Sequence, residues 1–208
     1  MELQYFGANC FRITTKKAQI VVDDNLKQLG LKAVTKPGDI SLRTFKDIPE
    51  QEARFVIDMP GEYETAGVVI HGIAARAHMD TEGQHSAVIY TIESDNARAA
   101  VMGHIYPELS EEQLEQIGRV DIALVPVGGH GYTIDGVGAL KIIKDIEPKI
   151  VIPTHYADKS LKYEVPQADL ADALKALGME VSETVDKYKY KPNELTDSTR
   201  LIVLKISK

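Results

Sequence analysis

Two short apolar runs in the second half of the chain, Ile122–Val127 and Ile150–Pro153, constrain the fold more than any other feature. A strand with one wet face alternates apolar and polar residues. A run that is apolar at every position fits a strand covered on both faces, as in a parallel sheet flanked by helices. Between the runs, about Asp135–Ile146 has a helical pattern, with Val137, Ala139, Leu140 and Ile143 expected inward and Pro148 as the stop. Upstream, Ser110-Glu111-Glu112-Gln113 has the spacing of a capping box, Leu114 and Ile117 share the following face, and Gly118 ends it. A third helix is predicted from about Pro166 to Leu177, where Leu170, Leu174 and Leu177 form a stripe that Gly178 stops. Leu201–Ile206 closes the chain as a strand.

The first half lacks this alternation. Leu3–Phe6, Phe11–Thr15 and Ala18–Val22 are predicted strands, the first two joined by the turn Gly7-Ala8-Asn9. Residues 24–54 are polar and broken by Pro37-Gly38 and Pro49, so loops are expected with one short strand near Asp39–Leu42. Phe55–Asp58, Val68–Ile73, Ser86–Ile92 and Arg98–Met102 follow as strands, with a turn at Pro60-Gly61. Strands first and strand–helix alternation second predict two sheets with helices outside them. No linker or repeat interrupts the pattern, so residues 1–208 are expected to form one domain.

Charge narrows the function classes. Lysine and arginine total 24 against 31 acidic residues, a net of −7, which disfavours general nucleic-acid binding. The apolar runs are too short to cross a membrane, and Met1-Glu2-Leu3-Gln4 begins no signal peptide. The single Cys10 can make no internal disulfide, which suits a reducing compartment; a cytoplasmic location is the expectation.

Chemistry is sought first at the six histidines. No two lie within five residues, so neither an HxH nor an HExxH pair exists. Their placement says more than their spacing. His78, His104, His130 and His155 each follow a predicted strand, where layered α/β folds gather ligands, whereas His71 and His85 read as solvated or structural. Gly128-Gly129-His130-Gly131 resembles an anion-cradling loop but lacks the Lys-Ser/Thr ending of a P-loop, so a tight loop at a site is the better reading. Tyr132 and Tyr156 can line a pocket there or simply pack. No G-x-S-x-G elbow occurs, and nucleophilic catalysis has no local support.

Several segments in order resemble a known family. They are Phe6-Gly7-Ala8-Asn9-Cys10-Phe11, the stretch from Phe55 to Glu64, the stretch from Val125 to Asp135, and the stretch from Glu147 to Tyr156. Together they are similar to the bacterial zinc-dependent hydrolase branch of the metallo-β-lactamase superfamily. The resemblance implies a four-layer αββα sandwich with a metal site at one edge, between the sheets. It also implies an HxHxDH cluster that supplies zinc ligands after the third strand. Here the corresponding stretch, Asp39–Pro49, holds no histidine and carries Arg43 and Lys46. Ala8 stands for the family's opening His, and His104 for its bridging carboxylate. An inserted residue, His130, interrupts the Gly-rich loop.

His155 matches the family's final ligand, His78 with Asp80 resembles its third motif, and His104 can still donate a nitrogen. Three readings stay open. The first is a hydrolase-like protein with a degenerate metal site and a pocket, built from Gly128, Gly129, His130, Tyr132 and Tyr156, for a small-molecule ligand. The second is a single-metal hydrolase of ester, lactone or phosphodiester bonds. It would hold one zinc or other transition metal on His78, His104 and His155, with Asp80 or Asp24 as base or orienting group. The third is a structural or partner-binding subunit, for instance of a homo-oligomer.

Overall fold

A computed structural model describes residues 1–192 and 198–207. Six strands form the smaller sheet: β1 (Glu2–Gly7), β2 (Cys10–Thr14), β3 (Gln19–Val22), β4 (Ile40–Leu42), β5 (Phe55–Ile57) and, from far along the chain, β13 (Lys187–Lys189). Their order is β13-β1-β2-β3-β4-β5, antiparallel up to β3 and parallel from β3 to β5. The larger sheet comprises β6 (Gly61–Thr65), β7 (Val68–Ala75), β8 (Ala87–Ser94), β9 (Ala97–Val101), β10 (Ile122–Pro126), β11 (Ile150–Thr154), β12 (Val181–Val185) and β14 (Arg200–Leu204). It runs β12-β14-β11-β10-β9-β8-β7-β6. The half from β12 to β9 is parallel and the rest antiparallel.

The two apolar runs behave as their composition requires. Every residue of β10 and β11 is buried. Each large aliphatic side chain taken from water there contributes roughly 1.5–3 kcal/mol, so these two strands are central to stability. Helix α1 (Glu111–Ile117) carries the capping box: Ser110 accepts from the Gln113 amide while the Gln113 side chain accepts from the Ser110 amide. Helix α2 (Gly136–Ile146) starts at the Asp135 cap and buries Ala139, Ile142, Ile143 and Ile146. Val137, expected inward, is 67% exposed, because it lies about half a turn from that stripe.

Helix α3 (Leu170–Leu177) begins four residues later than expected. The Ala168 amide is spent on the Gly128 carbonyl, which ties the preceding segment to a loop instead of a helix. The contacts of these helices lie along the larger sheet, α1 on β7 and α2 on β10, with α3 against α2.

The smaller sheet's outer face is covered differently. Phe6, Ala8, Cys10 and Val21 are packed under Leu26, Leu29 and Leu161 from irregular segments. Its inner face, including Leu3, Tyr5, Phe11, Ile13, Ile20 and Val22, joins the main core between the sheets.

Three strands escaped the sequence reading. In β6 burial alternates only between half-buried and exposed, β12 is almost wholly exposed, and β13 is a three-residue edge. Edge strands of this kind are held by backbone pairing and show no apolar pattern. No helix among the described residues is long and apolar enough to cross a membrane.

Candidate functional site between the strand exits

Because β9, β10 and β11 are parallel neighbours, their C-terminal ends share one edge of the larger sheet. That edge delivers His104, Gly128 and His155 side by side. Opposite it, the ends of β1, β3 and β4 deliver Ala8-Asn9, Asp23 and Thr44. The His155 amide donates to the Ala8 carbonyl at 2.8 Å, joining the two edges. Ala8, Asp23 and His155 all adopt left-handed backbone, at φ of 50°, 45° and 57°. Such strain costs about 1–3 kcal/mol per residue and clusters where side chains must be aimed.

Two glycines are dictated by close approach. A Cβ on Gly103 would lie 2.4 Å from the Thr44 Cβ. One on Gly128 would lie 2.1 Å from both the His155 carbonyl and Gln167 Oε1. Gly128 and Gly129 therefore shape the loop, as expected. His130 beside them is exposed, with φ of 57°, and makes no hydrogen bond or ring contact with the site among the described residues.

At the centre, the His104 and His155 rings meet edge-on with centroids 5.1 Å apart. Tyr132 closes on both, at 5.3 and 5.9 Å. Thr154 Oγ1 donates to Asn9 Oδ1 at 2.8 Å, and Asn9 Nδ2 lies 3.3 Å from His104 Nδ1. With Asn9 so oriented, His104 Nδ1 accepts and Nε2 carries the proton. That Nε2 is buried and has no partner among the described residues. Asp23 accepts from the Thr44 amide at 2.7 Å and from Thr44 Oγ1 at 2.6 Å.

Burial dominates the ionisation. It pushes Asp23 up to about 7, although the Thr44 hydrogen bonds pull the other way. Burial, then the neighbouring His155 and His78, holds His104 well below its ordinary value. The 3.9 Å approach of His104 Nδ1 to Asp23 Oδ2 is therefore no ion pair at neutral pH. Burial lowers His155 to about 4, against the raising effect of Gln167. Gln167 Nε2 donates to the Val165 carbonyl at 2.8 Å, which turns its Oε1 toward His155 Nδ1, 3.1 Å away. His155 thus carries its proton on Nδ1, leaving a lone pair on Nε2.

The other residues singled out in the sequence go elsewhere. The His78 amide donates to the His104 carbonyl at 2.9 Å, but its ring lies against Tyr106, 5.8 Å between centroids. Asp24 Oδ2 accepts from the Val34 and Thr35 amides and the Thr35 hydroxyl, each at 2.7 Å, anchoring the loop that covers the smaller sheet. Asp80 accepts from the Ala77 and Ser86 amides and the Ser86 hydroxyl, stitching its own loop. Tyr156 is a packing residue: its ring sits 5.8 Å from Tyr5 and its hydroxyl donates to the Leu204 carbonyl.

Asn9, Asp23, Thr44, Tyr163 and Gln167 were not among the residues chosen from the sequence. Asp23 carried a usable signal beside the chosen Asp24, and Asn9 lay in the opening segment that carried the resemblance; Thr44, Tyr163 and Gln167 carried none.

The donor set does not fit the metal centre that the resemblance implies. Among the described residues, no three His, Cys, Asp or Glu side chains converge as metal ligands. His104 Nδ1 is turned to Asn9, and both Asp23 oxygens accept hydrogen bonds from Thr44.

A cavity of about 280 Å³ opens beside His155, lined also by Tyr132, Tyr163, Gln167, Asp47 and Glu164.

Comparison with known proteins agrees with this architecture. The model of the beta-lactamase superfamily domain matches residues 2–155. A UPF0173 metal-dependent hydrolase of Archaeoglobus fulgidus is 26% identical over 138 residues, 63% of this chain and 59% of that protein. Another from Thermococcus onnurineus is 33% identical over 100 residues, 46% of this chain and 44% of that protein. The chain thus spans only about half of these curated relatives. A Thermotoga maritima structure assigned to the Zn-dependent hydrolases of the metallo-beta-lactamase superfamily superposes with a TM-score of 0.75 and 26% identity, covering 98% of both chains. A metallo hydrolase of Ignicoccus hospitalis shares the fold at a TM-score of 0.60 and 17% identity, covering 91% of this chain and 99% of its own. The chain belongs to the beta-lactamase superfamily domain family, and its two sheets and flanking helices are the metallo-β-lactamase fold.

Proposed function

We propose that this protein keeps the scaffold of the metal-dependent hydrolases but uses the edge between its sheets to bind a small molecule, without their two-zinc hydrolysis. The observation that carries this reading is the closed chain Thr154–Asn9–His104, beside an Asp23 already satisfied by Thr44. Asn9, His104, Asp23 and Thr44 support one another and the strained backbone around them.

A one-metal hydrolase is the competing reading. The 5.1 Å approach of the His104 and His155 rings favours it, as does the description of the relatives as metal-dependent hydrolases. The test is metal content by inductively coupled plasma mass spectrometry on chelator-free protein, before and after zinc addition, with His155→Ala as control. Folded protein that takes up no zinc supports the binding role. One equivalent of metal, lost in His155→Ala, would overturn it and select the one-metal hydrolase.

A further inference from the structure

The cavity beside His155 has a chemical bias of its own. Its walls include Tyr132, Tyr163 and the His155 ring, and Asp47 and Glu164 stand exposed at its opening. No lysine or arginine lines it. Of the three lysines adjacent in sequence to lining residues, Lys46 acts on Asp80, the Lys162 stem lies against Gly30, and Lys27 is exposed and does not line the cavity. An anionic ligand would find no cation there to replace its hydration. We propose that this cavity takes a small organic cation, an alkylammonium or quaternary ammonium, held against the Tyr132, Tyr163 and His155 rings with Asp47 and Glu164 as counter-charges.

Three features carry the assignment. The rings are mutually close, His155 to Tyr163 at 5.2 Å and His155 to Tyr132 at 5.9 Å, so one cation can touch several. Aromatic faces attract cations through their quadrupole, by about 0.5–2 kcal/mol depending on desolvation.

His155 is 1% exposed yet lines the cavity, and its Nε2 has no hydrogen-bond partner among the described residues. With Nδ1 turned to Gln167, its Nε2 can accept a hydrogen bond from an ammonium N–H.

The small volume, about 280 Å³, suits a compact ligand rather than a polymer segment.

This inference rests on the binding role proposed above, and the test separates the two. Choline, its uncharged carbon isostere neohexyl alcohol, and butyrate are titrated by calorimetry into protein whose metal content has been measured in the same sample. Choline is expected to bind at least about tenfold tighter than the alcohol, equivalent to about 1.4 kcal/mol, and butyrate not at all. Asp47→Asn combined with Glu164→Gln should remove most of that preference while leaving binding of the alcohol unchanged. Both residues are exposed, so the double variant is expected to fold. Metal-free protein that binds the alcohol as tightly as choline, prefers butyrate, or binds none of the three would overturn the ligand class alone. Zinc uptake in the same sample would overturn the underlying role instead.

Discussion

The two walls of the site are built in opposite ways. The wall from the smaller sheet, Asn9, Asp23 and Thr44, is buried and hydrogen-bonded within itself and to the His104–Thr154 edge. The wall from the larger sheet's loops, Tyr132, His155, Tyr163 and Gln167, borders the cavity and keeps a free imidazole nitrogen toward it. The first resembles a folding element, the second a contact surface. The metallo-β-lactamase fold brings the two face to face; their hydrogen bonding explains why only one borders the cavity. If the contrast is correct, substitutions in the first wall should act on stability and those in the second on binding.

The largest effect is expected from Asp23→Ala. It strands the Thr44 amide and hydroxyl in a buried position and places a less tolerant residue at a φ of 45°. A loss of about 2–3 kcal/mol should appear as a lower urea midpoint with an unchanged slope. A loss below about 0.5 kcal/mol would mean that the first wall is not a folding element.

The next effect is a change in pH dependence. Asp23 has a folded pKa of about 7, above the ordinary carboxylate range. Its contribution is fully present below its unfolded value, about 4, and is lost as pH rises through 7. His155, lowered to about 4, works the other way: its contribution is present above its unfolded value, about 6.5, and is lost as pH falls through 4. His104, also lowered, acts in the same sense as His155. Between about pH 4 and 6.5 these trends oppose, and the three lowered histidines, His78 among them, outweigh one carboxylate. Wild-type stability should therefore rise gently with pH. In Asp23→Asn, which lacks the opposing group, the rise should steepen by roughly 1 kcal/mol per pH unit. Urea midpoints at several pH values measure it, and identical slopes for the two proteins would show that Asp23 titrates normally.

The same contrast explains what the sequence disclosed. Ile122–Val127, Ile150–Pro153 and the Ser110–Gln113 cap announce themselves because burial and capping act locally, on residue type and spacing. From them follow the parallel half of the larger sheet and the exits that carry His104 and His155. The first wall was hidden. Asp23 and Asp24 are adjacent and chemically alike, yet a left-handed turn sends one carboxylate to Thr44 and the other to Val34 and Thr35. Local pattern cannot rank such neighbours, so Asp24 was chosen where Asp23 occupies the site. His78 follows a strand as expected, and it both packs against Tyr106 and acts by its charge on His104. Gln167 fell inside a predicted helix that in fact starts at Leu170, so its role depended on a boundary the pattern did not mark.

Gln167→Leu gives the smallest effect on folding and the sharpest on the second wall. The side chain is half-buried and makes one hydrogen bond to His155 and one to Val165. Its removal should cost at most about 1 kcal/mol, well under the Asp23 loss. Without Oε1 as acceptor, the imidazole loses what fixes its proton on Nδ1, and the group that favours its charged form disappears. Nitrogen-15 shifts of the His155 ring should therefore report a mixture of tautomers and a pKa displaced further downward. The lone pair that the cavity now sees on Nε2 would be present only part of the time. A variant that loses little stability but shows this tautomer change would place Gln167 as the residue that aims His155 at the cavity. An unchanged ring spectrum would assign that orientation to the left-handed backbone and the Tyr132 and Tyr163 rings alone.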